Sequence, residues 1–298
     1  MKLTIITPSY NQAAFLPATL DSVLGQNIDG LEYWVIDGGS SDDSVEILRS
    51  YSESYPGRLQ WVSEPDRGQT DAVNKGLRRA TGDIIGWLNS DDIYYPQACR
   101  QVLDYFAAQP QAMVVYGRAD HIDRDGNWLE EYPTEAWNYP RLLETCYLWQ
   151  PAVFFRRQAV EQHGLLDDSL QYCMDYEYWL RLGKATAFHH LPVKLAGSRL
   201  YAETKTLGAK TAVHREILRM LYEKTGQMSS IWLSNYGHAV AADAGLTRET
   251  PQQEWQFVKT VSRAWLGESW RLYGQISRRD LRNVAGWLWA AWRQGRRR

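Results

Sequence analysis

Three hydrophobic segments near the start of the sequence each end abruptly in carboxylates, and this pattern strongly constrains the fold. The segments end at Asp37, at Glu64 with Asp66, and at Asp91 with Asp92. Because ligands of an open α/β sheet bind beyond the carboxyl ends of its strands, we expect these acids to share one sheet edge. Adjacent aspartates repel each other there, and a divalent cation with a phosphate-bearing substrate would compensate them. The pattern therefore indicates a metal–nucleotide site.

The first half of the sequence alternates between strand and helix patterns, which is typical of a mainly parallel sheet flanked by helices. We predict strands at residues 3–7, 33–36, 59–62 and 84–88, with helices at 16–24 and 70–80. Beyond residue 92 the regular alternation of strand and helix patterns ends. There we predict strands at 113–116 and 150–156, an Asp-Gly hairpin turn within 121–128, and helices at 175–182, 207–224 and 254–298.

The composition argues against several classes of protein. The formal net charge is −2, which gives no general attraction to nucleic acid. No apolar stretch approaches the ~20 residues that span a bilayer, and the apolar run at the N-terminus is too short for a signal peptide. Cys99, Cys146 and Cys173 have no zinc-binding or disulfide spacing. We therefore expect a cytoplasmic protein without a nucleic acid partner.

Common phosphate-binding and nucleophile motifs are absent from the sequence. It contains no GxxxxGK loop, no GxGxxG fingerprint and no Gly-x-Ser-x-Gly elbow. The sequence therefore lacks the motifs that usually indicate a kinase, a dehydrogenase or a hydrolase. Carboxylates would instead hold phosphates indirectly, through a metal ion.

Four ordered motifs resemble glycosyltransferase family 2, whose members have the GT-A fold. They are Thr-Pro-Ser-Tyr-Asn at 7–11, Val-Ile-Asp-Gly-Gly-Ser at 35–40, Ser-Glu-Pro-Asp-Arg-Gly at 63–68 and Asn-Ser-Asp-Asp at 89–92. The resemblance covers about residues 1–210. It implies an inverting transfer of sugar from a nucleotide diphosphate sugar to a hydroxyl acceptor, assisted by Mg or Mn.

The resemblance also implies which residues bind the nucleotide sugar. The loop after the first strand would form one wall of the nucleotide site, with the residues Pro8, Ser9, Tyr10 and Asn11. Tyr10 would lie against the base, and Asp37 would accept a hydrogen bond from the base or ribose. A turn cap is the alternative role for Asp37. Asp66, Arg67 and Asn74 would help to bind the nucleotide, although Asp66 and Arg67 could instead form a surface ion pair.

Asp91 and Asp92 match the family's DxD-like motif. Asp92 would ligate the metal, and Asp91 would face the ribose or donor sugar; a helix-capping pair before Pro96 is the alternative. A bridging Mg or Mn ion would neutralise charge on the leaving diphosphate. Tyr201 stands where the family often has a His, so carboxylate, phosphate and water would hold the metal. Lys205 could neutralise phosphate.

Asp175 aligns with the family's catalytic Asp, and Met174 replaces the first acid of that Glu-Asp motif. Asp175 would accept the proton of the acceptor hydroxyl, although a helix N-cap is its alternative role. Glu177 points roughly 200° away around a helix and cannot share this function. Trp149 or Trp179 could stack on a sugar ring, with core packing as the alternative.

The C-terminal segment is basic and rich in Trp. Residues 271–298 contain eight Arg and one Asp, and Leu281, Val284, Leu288 and Trp292 follow one helical face. Such a helix could lie in a membrane interface, which would suit a lipid-linked acceptor. The alternative is a helix docked on the catalytic domain with a solvated basic end.

We therefore predict a GT-A glycosyltransferase domain at 1–225, with a nucleotide-sugar-binding half at 1–95 and an acceptor and catalytic half at 96–225. A helical Trp/Arg-rich extension occupies 226–298. The predicted reaction uses a UDP-sugar and a glycan or lipid-linked acceptor in surface polysaccharide or glycoconjugate synthesis, in the cytoplasm or at the inner face of its membrane. The alternatives are a sugar nucleotidyltransferase and an inactive nucleotide-sugar-binding or tethering module.

Overall fold

The computed structural model describes residues 1–201 and 208–295. The chain divides into two compact units. The first comprises residues 1–139 and 146–201, and the second comprises residues 140–145 with the described part of 202–298. The sequence-based boundary at residue 225 remains a prediction, and helix 210–225 belongs to the second compact unit.

A mixed sheet forms the centre of the first unit. Its strands are β1 (Leu3–Ser9), β2 (Glu32–Asp37), β3 (Leu59–Ser63), β4 (Ile84–Trp87), β5 (Ile93–Tyr94), β6 (Val114–Ile122), β7 (Trp128–Glu131), β8 (Val153–Arg156) and β9 (His189–Arg199). Their order is β3-β2-β1-β4-β8-β6-β9-β5, with β7 beside β6. Strands β1 to β4 are mutually parallel, whereas β8 runs antiparallel to both of its neighbours. The α/β architecture predicted from the alternating pattern is therefore confirmed.

Helices cover the sheet because each presents an apolar stripe to it. In the first unit they are α1 (Leu16–Leu24), α2 (Ser44–Ser54), α3 (Gln69–Arg79), α4 (Ala98–Ala108), α6 (Arg157–His163) and α7 (Met174–Ala185). Helix α3 approaches β1 so closely that a Cβ atom on Gly76 would overlap the Ile6 side chain. The close approach sets α3, and the loop before it, against the sheet.

Several predicted elements differ from the structure in their bounds. Residues 150–152 form a turn of 3₁₀ helix, with Pro151 at its start, and the strand begins only at Val153. The hairpin turn is confirmed: Asp123 accepts a hydrogen bond from the Asn127 backbone at 2.8 Å, and Gly126 has a φ of 91°. Strands β5 and β9 were not predicted, since neither has a clear alternation of its own.

The second unit is helical. It contains α5 (Tyr139–Glu144, from Pro140 onward), α8 (Lys210–Thr225), α9 (Ser230–Asp243), α10 (Pro251–Tyr273) and α11 (Arg278–Gly295). The predicted helical segment at 254–298 contains two helices, α10 and α11, because Gly274 adopts a φ of 63° and ends α10. Helix α9 was not predicted. In the described ranges, no helix is long and apolar enough to cross a membrane.

Candidate active site

The parallel register brings the ends of β1, β2 and β3 together, with Ser9 beside Asp37 and Asp37 beside Ser63. The Asp37 side chain is buried. Its carboxylate accepts hydrogen bonds from the Ser63 hydroxyl at 2.7 Å and from the backbone N–H groups of Gly39 and Ser40 at 3.1 and 2.9 Å. Asp37 therefore shapes the loop after β2, as its turn-cap alternative required. Its contact with a base or ribose stays a prediction.

The loop after β1 is tied to the loop after β2 by hydrogen bonds to Asn11. The Asn11 side chain accepts a hydrogen bond from the Ser41 N–H at 2.8 Å, and its backbone N–H donates to the Ser40 hydroxyl at 2.8 Å. Asn11 has a φ of 52°, a conformation that Asn tolerates better than most residues. Pro8 and Ser9 are buried, whereas Tyr10 is 59 % exposed. Tyr10 is thus presented to solvent, where a base could stack on it.

The second acidic loop lies against the first. Asp66 accepts a hydrogen bond from the Gly68 N–H at 2.8 Å, and a Cβ atom on Gly38 would come within 2.6 Å of its carboxylate. Arg67 does not pair with Asp66. Its guanidinium instead bridges Asp71 at 3.2 Å and Asp168 at 2.8 Å, on an exposed surface. A role of Asp66 and Arg67 in nucleotide binding stays a prediction.

Asn74 is buried and clamps a distant loop. Its amide donates to the carbonyl of Leu166 and accepts from the N–H of Leu166, both at 3.0 Å. Thr70, one turn earlier on α3, donates to the Leu170 carbonyl at 2.9 Å. These contacts fix the segment that leads into α7. Direct nucleotide binding by Asn74 stays a prediction. The two hydrogen bonds to Leu166 do not favour it, because they engage both ends of the Asn74 amide.

The acid pair after β4 lies in contrasting environments. Asp92 is 2 % exposed and accepts hydrogen bonds from the Arg199 backbone N–H at 3.1 Å and from the Asn89 amide at 3.3 Å. Asp91 is partly exposed and accepts a hydrogen bond from the Tyr201 hydroxyl at 2.8 Å. Burial, reinforced by the adjacent Asp91, raises the pKa of Asp92 to about 8. A cation would stabilise the ionised form of the buried Asp92 beside Asp91.

The oxygen donors of this pair fit a hard divalent cation as ligands. Each carboxylate offers about four lone-pair sites, and Asp92 accepts hydrogen bonds from the Ser198 side chain, the Arg199 N–H and the Asn89 amide, which leaves room for a metal ion. Within residues 1–201 and 208–295, no group of three or more His, Cys, Asp or Glu side chains could hold a metal ion.

Asn89 links the acid pair to two other segments, and the sequence analysis missed this role. Its amide oxygen accepts hydrogen bonds from the side chains of Gln69 at 2.7 Å and Trp87 at 3.0 Å, and its amide nitrogen donates to Gln150 at 3.0 Å. Asn89 belongs to the motif at 89–92, which was the available signal. Nothing in the sequence pairs it with Gln150.

An aromatic and cationic cluster lies next to Asp91, whose backbone carbonyl accepts a hydrogen bond from the Arg199 guanidinium at 2.5 Å. The Tyr201 ring contacts Phe15 at 4.9 Å between centroids, and the guanidinium groups of Arg124 and Arg199 lie 5.1 and 5.2 Å from the Phe15 ring. Arg124 and Arg199 were not predicted as site residues. Lys205 lies outside the described residues.

Asp175 lies in the first turn of α7, where its carboxylate accepts a hydrogen bond from the Tyr176 N–H at 2.7 Å. Burial raises the pKa of Asp175 to about 6, which is a suitable value for a general base near neutral pH. Glu177 is instead paired with Arg181, with oxygen–nitrogen distances of 2.7 and 3.0 Å. Asp175 is thus available for proton transfer, and Glu177 is engaged by an ion pair.

The two tryptophans considered for sugar stacking have different environments. Trp179 is fully buried on α7, so the prediction that it could stack on a sugar is wrong and core packing is its role. Trp149 is partly buried and packs against Tyr132 at 4.3 Å and His121 at 5.0 Å. Its contact with a sugar stays a prediction.

The model of glycosyl transferase family 2 matches residues 4–172, which is more than half of the chain. Fold and site together define a GT-A glycosyltransferase. The chain belongs to glycosyl transferase family 2, as the motifs indicated.

Among sequence relatives, the chain is 28 % identical over 218 residues to the chondroitin synthase of Escherichia coli, covering 72 % of this chain and 31 % of that protein. The chain thus spans about a third of that relative's length. An uncharacterized glycosyltransferase of Nostoc sp. is 23 % identical, with 92 % of this chain and 90 % of that protein covered.

Solved structures show the same fold. TarS 1–349 of S. aureus in complex with UDP-GlcNAc has a TM-score of 0.63 at 14 % identity, with 99 % of this chain and 92 % of that chain covered. The mannosyltransferase of Pyrobaculum calidifontis, in complex with GDP-Man and Mn²⁺, has a TM-score of 0.59 at 17 % identity. The match covers 98 % of this chain and 80 % of that chain.

Proposed function

We propose that this protein is an inverting glycosyltransferase that transfers a sugar from a UDP-sugar to a hydroxyl of a glycan or lipid-linked acceptor. The observation that carries the proposal is the acid pair after β4, in which Asp92 is buried and Asp91 is partly exposed, beside the loops after β1 and β2. The TarS complexes with UDP-GlcNAc and UDP support a nucleotide sugar donor with uridine as its base. A role in surface polysaccharide or glycoconjugate synthesis follows by analogy with the family.

The proposed reaction is a single displacement at the anomeric carbon. The acceptor oxygen bonds to this carbon while the bond from the carbon to the diphosphate oxygen breaks. Asp175 takes the proton of the acceptor hydroxyl, because it aligns with the family's catalytic Asp, and a pKa raised by burial to about 6 supports this role. Attack opposite the leaving diphosphate inverts the anomeric configuration.

Asp92 would hold a Mg or Mn ion that neutralises the charge developing on the departing diphosphate, while Asp91 would face the ribose or donor sugar. The mannosyltransferase complex with GDP-Man and Mn²⁺ supports such an ion in this fold. Metal binding requires Asp92 to be ionised, whereas its pKa is raised to about 8 without the ion. We therefore expect nucleotide and metal to bind together, with loss of a proton from this site.

The experiment is calorimetric titration of the full chain with UDP, GDP and dTDP, with and without Mn²⁺. We expect Mn²⁺-dependent binding of UDP, abolished in Asp92→Asn and retained in Asp104→Asn, which changes an exposed acid on α4. Binding of none of the three nucleotides would contradict the proposal.

Inversion has a separate measurement. Proton NMR of the first product formed from an α-linked UDP-sugar, with water or a glycan as acceptor, reports its anomeric configuration. We expect the β anomer. An α anomer as the first product would contradict the proposed displacement.

A further inference from the structure

Helix α11 is anchored in the second unit by one of its faces. Val284 and Ala291 are each only 2 % exposed, and Ala291 belongs to a core with Ala241, Phe257, Val258 and Val261. The Trp287 ring is partly buried and stacks on His238, at 5.3 Å between centroids. This inner face holds the helix against α9 and α10.

A second face of α11, about 120° around the helix from the inner face, is apolar and exposed. We call Leu281, Ala285, Trp289 and Trp292 the outer stripe. Spaced by four, four and three residues, they fall within an arc of about 80° around the helix. Leu281, Trp289 and Trp292 are 48, 58 and 43 % exposed, and Ala285 is also exposed. The sequence-based face was wrong in combining Leu281 with Val284, because Val284 belongs to the inner face.

The charges beside the outer stripe all have one sign. Four arginines of α11 are exposed: Arg278, Arg279, Arg282 and Arg293. The acid of this helix, Asp280, is 1 % exposed and accepts a hydrogen bond from the Ser277 hydroxyl at 2.6 Å. The guanidinium of Arg293 lies 4.4 Å from the Trp289 ring. Among the described residues of α11, the exposed charges are therefore all positive.

We infer that α11 lies in the interface of an anionic lipid bilayer, with the outer stripe among the acyl chains and the arginines at the headgroups. Trp and Leu beside Arg match this environment, since indole rings favour the interface and each Arg near an anionic surface adds about 1 kcal/mol. The positive charge complements anionic lipid, and a bilayer accepts an elongated stripe without a matching pocket.

This inference is independent of the nucleotide site, so the two proposals can fail separately. The test is flotation of the full chain with vesicles of phosphatidylcholine alone and of phosphatidylcholine mixed with phosphatidylglycerol. We expect the protein to float with the mixed vesicles and not with the neutral ones. Leu281→Ser with Trp289→Ser should lower the bound fraction at least about tenfold, and Arg278→Gln with Arg282→Gln should lower it by about tenfold or more.

Two controls separate membrane binding from other losses. Trp128→Ser removes a Trp of β7 that is 62 % exposed, and it should float like the wild type. Far-UV circular dichroism and UDP titration should be unchanged in the α11 variants, because those residues lie outside the nucleotide site. Equal flotation with both vesicle types, or wild-type flotation of the Leu281/Trp289 variant, would overturn the inference. A dimer in light scattering that this variant disperses, without flotation, would assign the stripe to a second copy.

Discussion

At the scale of single residues, Asp175 combines partial exposure with a pKa raised by burial to about 6. A general base must be ionised to act, so kcat/KM should fall as the pH drops below about 6. Asp175→Asn should lower kcat by about 10²–10⁴-fold. Steady-state rates measured across the pH range check both effects. If Asp175→Asn retains the wild-type rate and the same fall of kcat/KM at acidic pH, another group takes the proton.

Asn89 is the residue at which three segments meet the acid pair. Asn89→Ala would leave the side chains of Gln69, Trp87 and Gln150 without a partner that they have now. An unsatisfied buried polar group costs about 1–3 kcal/mol, so we expect a loss of that order in the free energy of unfolding and weaker UDP binding. Asn283→Ala, an exposed position on α11, should change stability by less than about 0.5 kcal/mol.

Urea unfolding and UDP titration of the two variants provide the measurement. If Asn89→Ala unfolds at the same urea concentration as the wild type, the hydrogen bonds around Asn89 do not contribute to stability. Unchanged UDP affinity in a destabilised variant would confine Asn89 to a structural role.

At the scale of secondary structure, two helical glycines should respond to Ala in opposite directions. In α3, a Cβ atom on Gly76 would overlap the Ile6 side chain on β1. A Cβ atom added to Gly267 in α10 would meet no neighbouring heavy atom within 4 Å. Gly76→Ala should lower the melting temperature, with overpacking costing about 1–3 kcal/mol. Gly267→Ala should raise it, because Ala favours a helix by about 1 kcal/mol over Gly.

Differential scanning calorimetry of both variants checks this contrast. Equal changes in melting temperature would mean that the contact between α3 and β1 relaxes without cost. Since α3 holds the loop before it, we also expect Gly76→Ala to weaken UDP binding and Gly267→Ala to leave it unchanged.

The elements that carry the acids could be predicted from sequence because their signals are local. Asp37, Asp91 and the first turn of α7 follow hydrophobic or helical patterns within a few residues of each acid. The partners of those acids could not be predicted. Asn89 meets Gln150 across 61 positions, and Asn74 meets Leu166 across 92, so only the folded topology brings them together. Helix α9 was missed because its apolar residues do not follow one face.

At the scale of the whole molecule, nucleotide binding should stabilise the first unit selectively. A ligand that binds only the folded state adds about 2.7 kcal/mol at a concentration of 100 times Kd. If the two compact units unfold separately, UDP with Mn²⁺ should raise the midpoint temperature of one calorimetric transition and leave that of the other unchanged. Asp92→Asn should abolish this shift. A single transition that shifts as a whole would show that the units unfold together.

The clamp between Asn74 and Leu166 has a consequence for redesign. The backbone leading into α7 is positioned by an amide on α3, so side chains at 167–172 do not set the path of the chain at Leu166. Combinatorial libraries that seek new acceptors can therefore randomise exposed positions in this segment, such as Ser169 and Gln171, while Asn74 stays fixed. Libraries that include Asn74 should yield less stable clones, because replacing it removes both hydrogen bonds to Leu166.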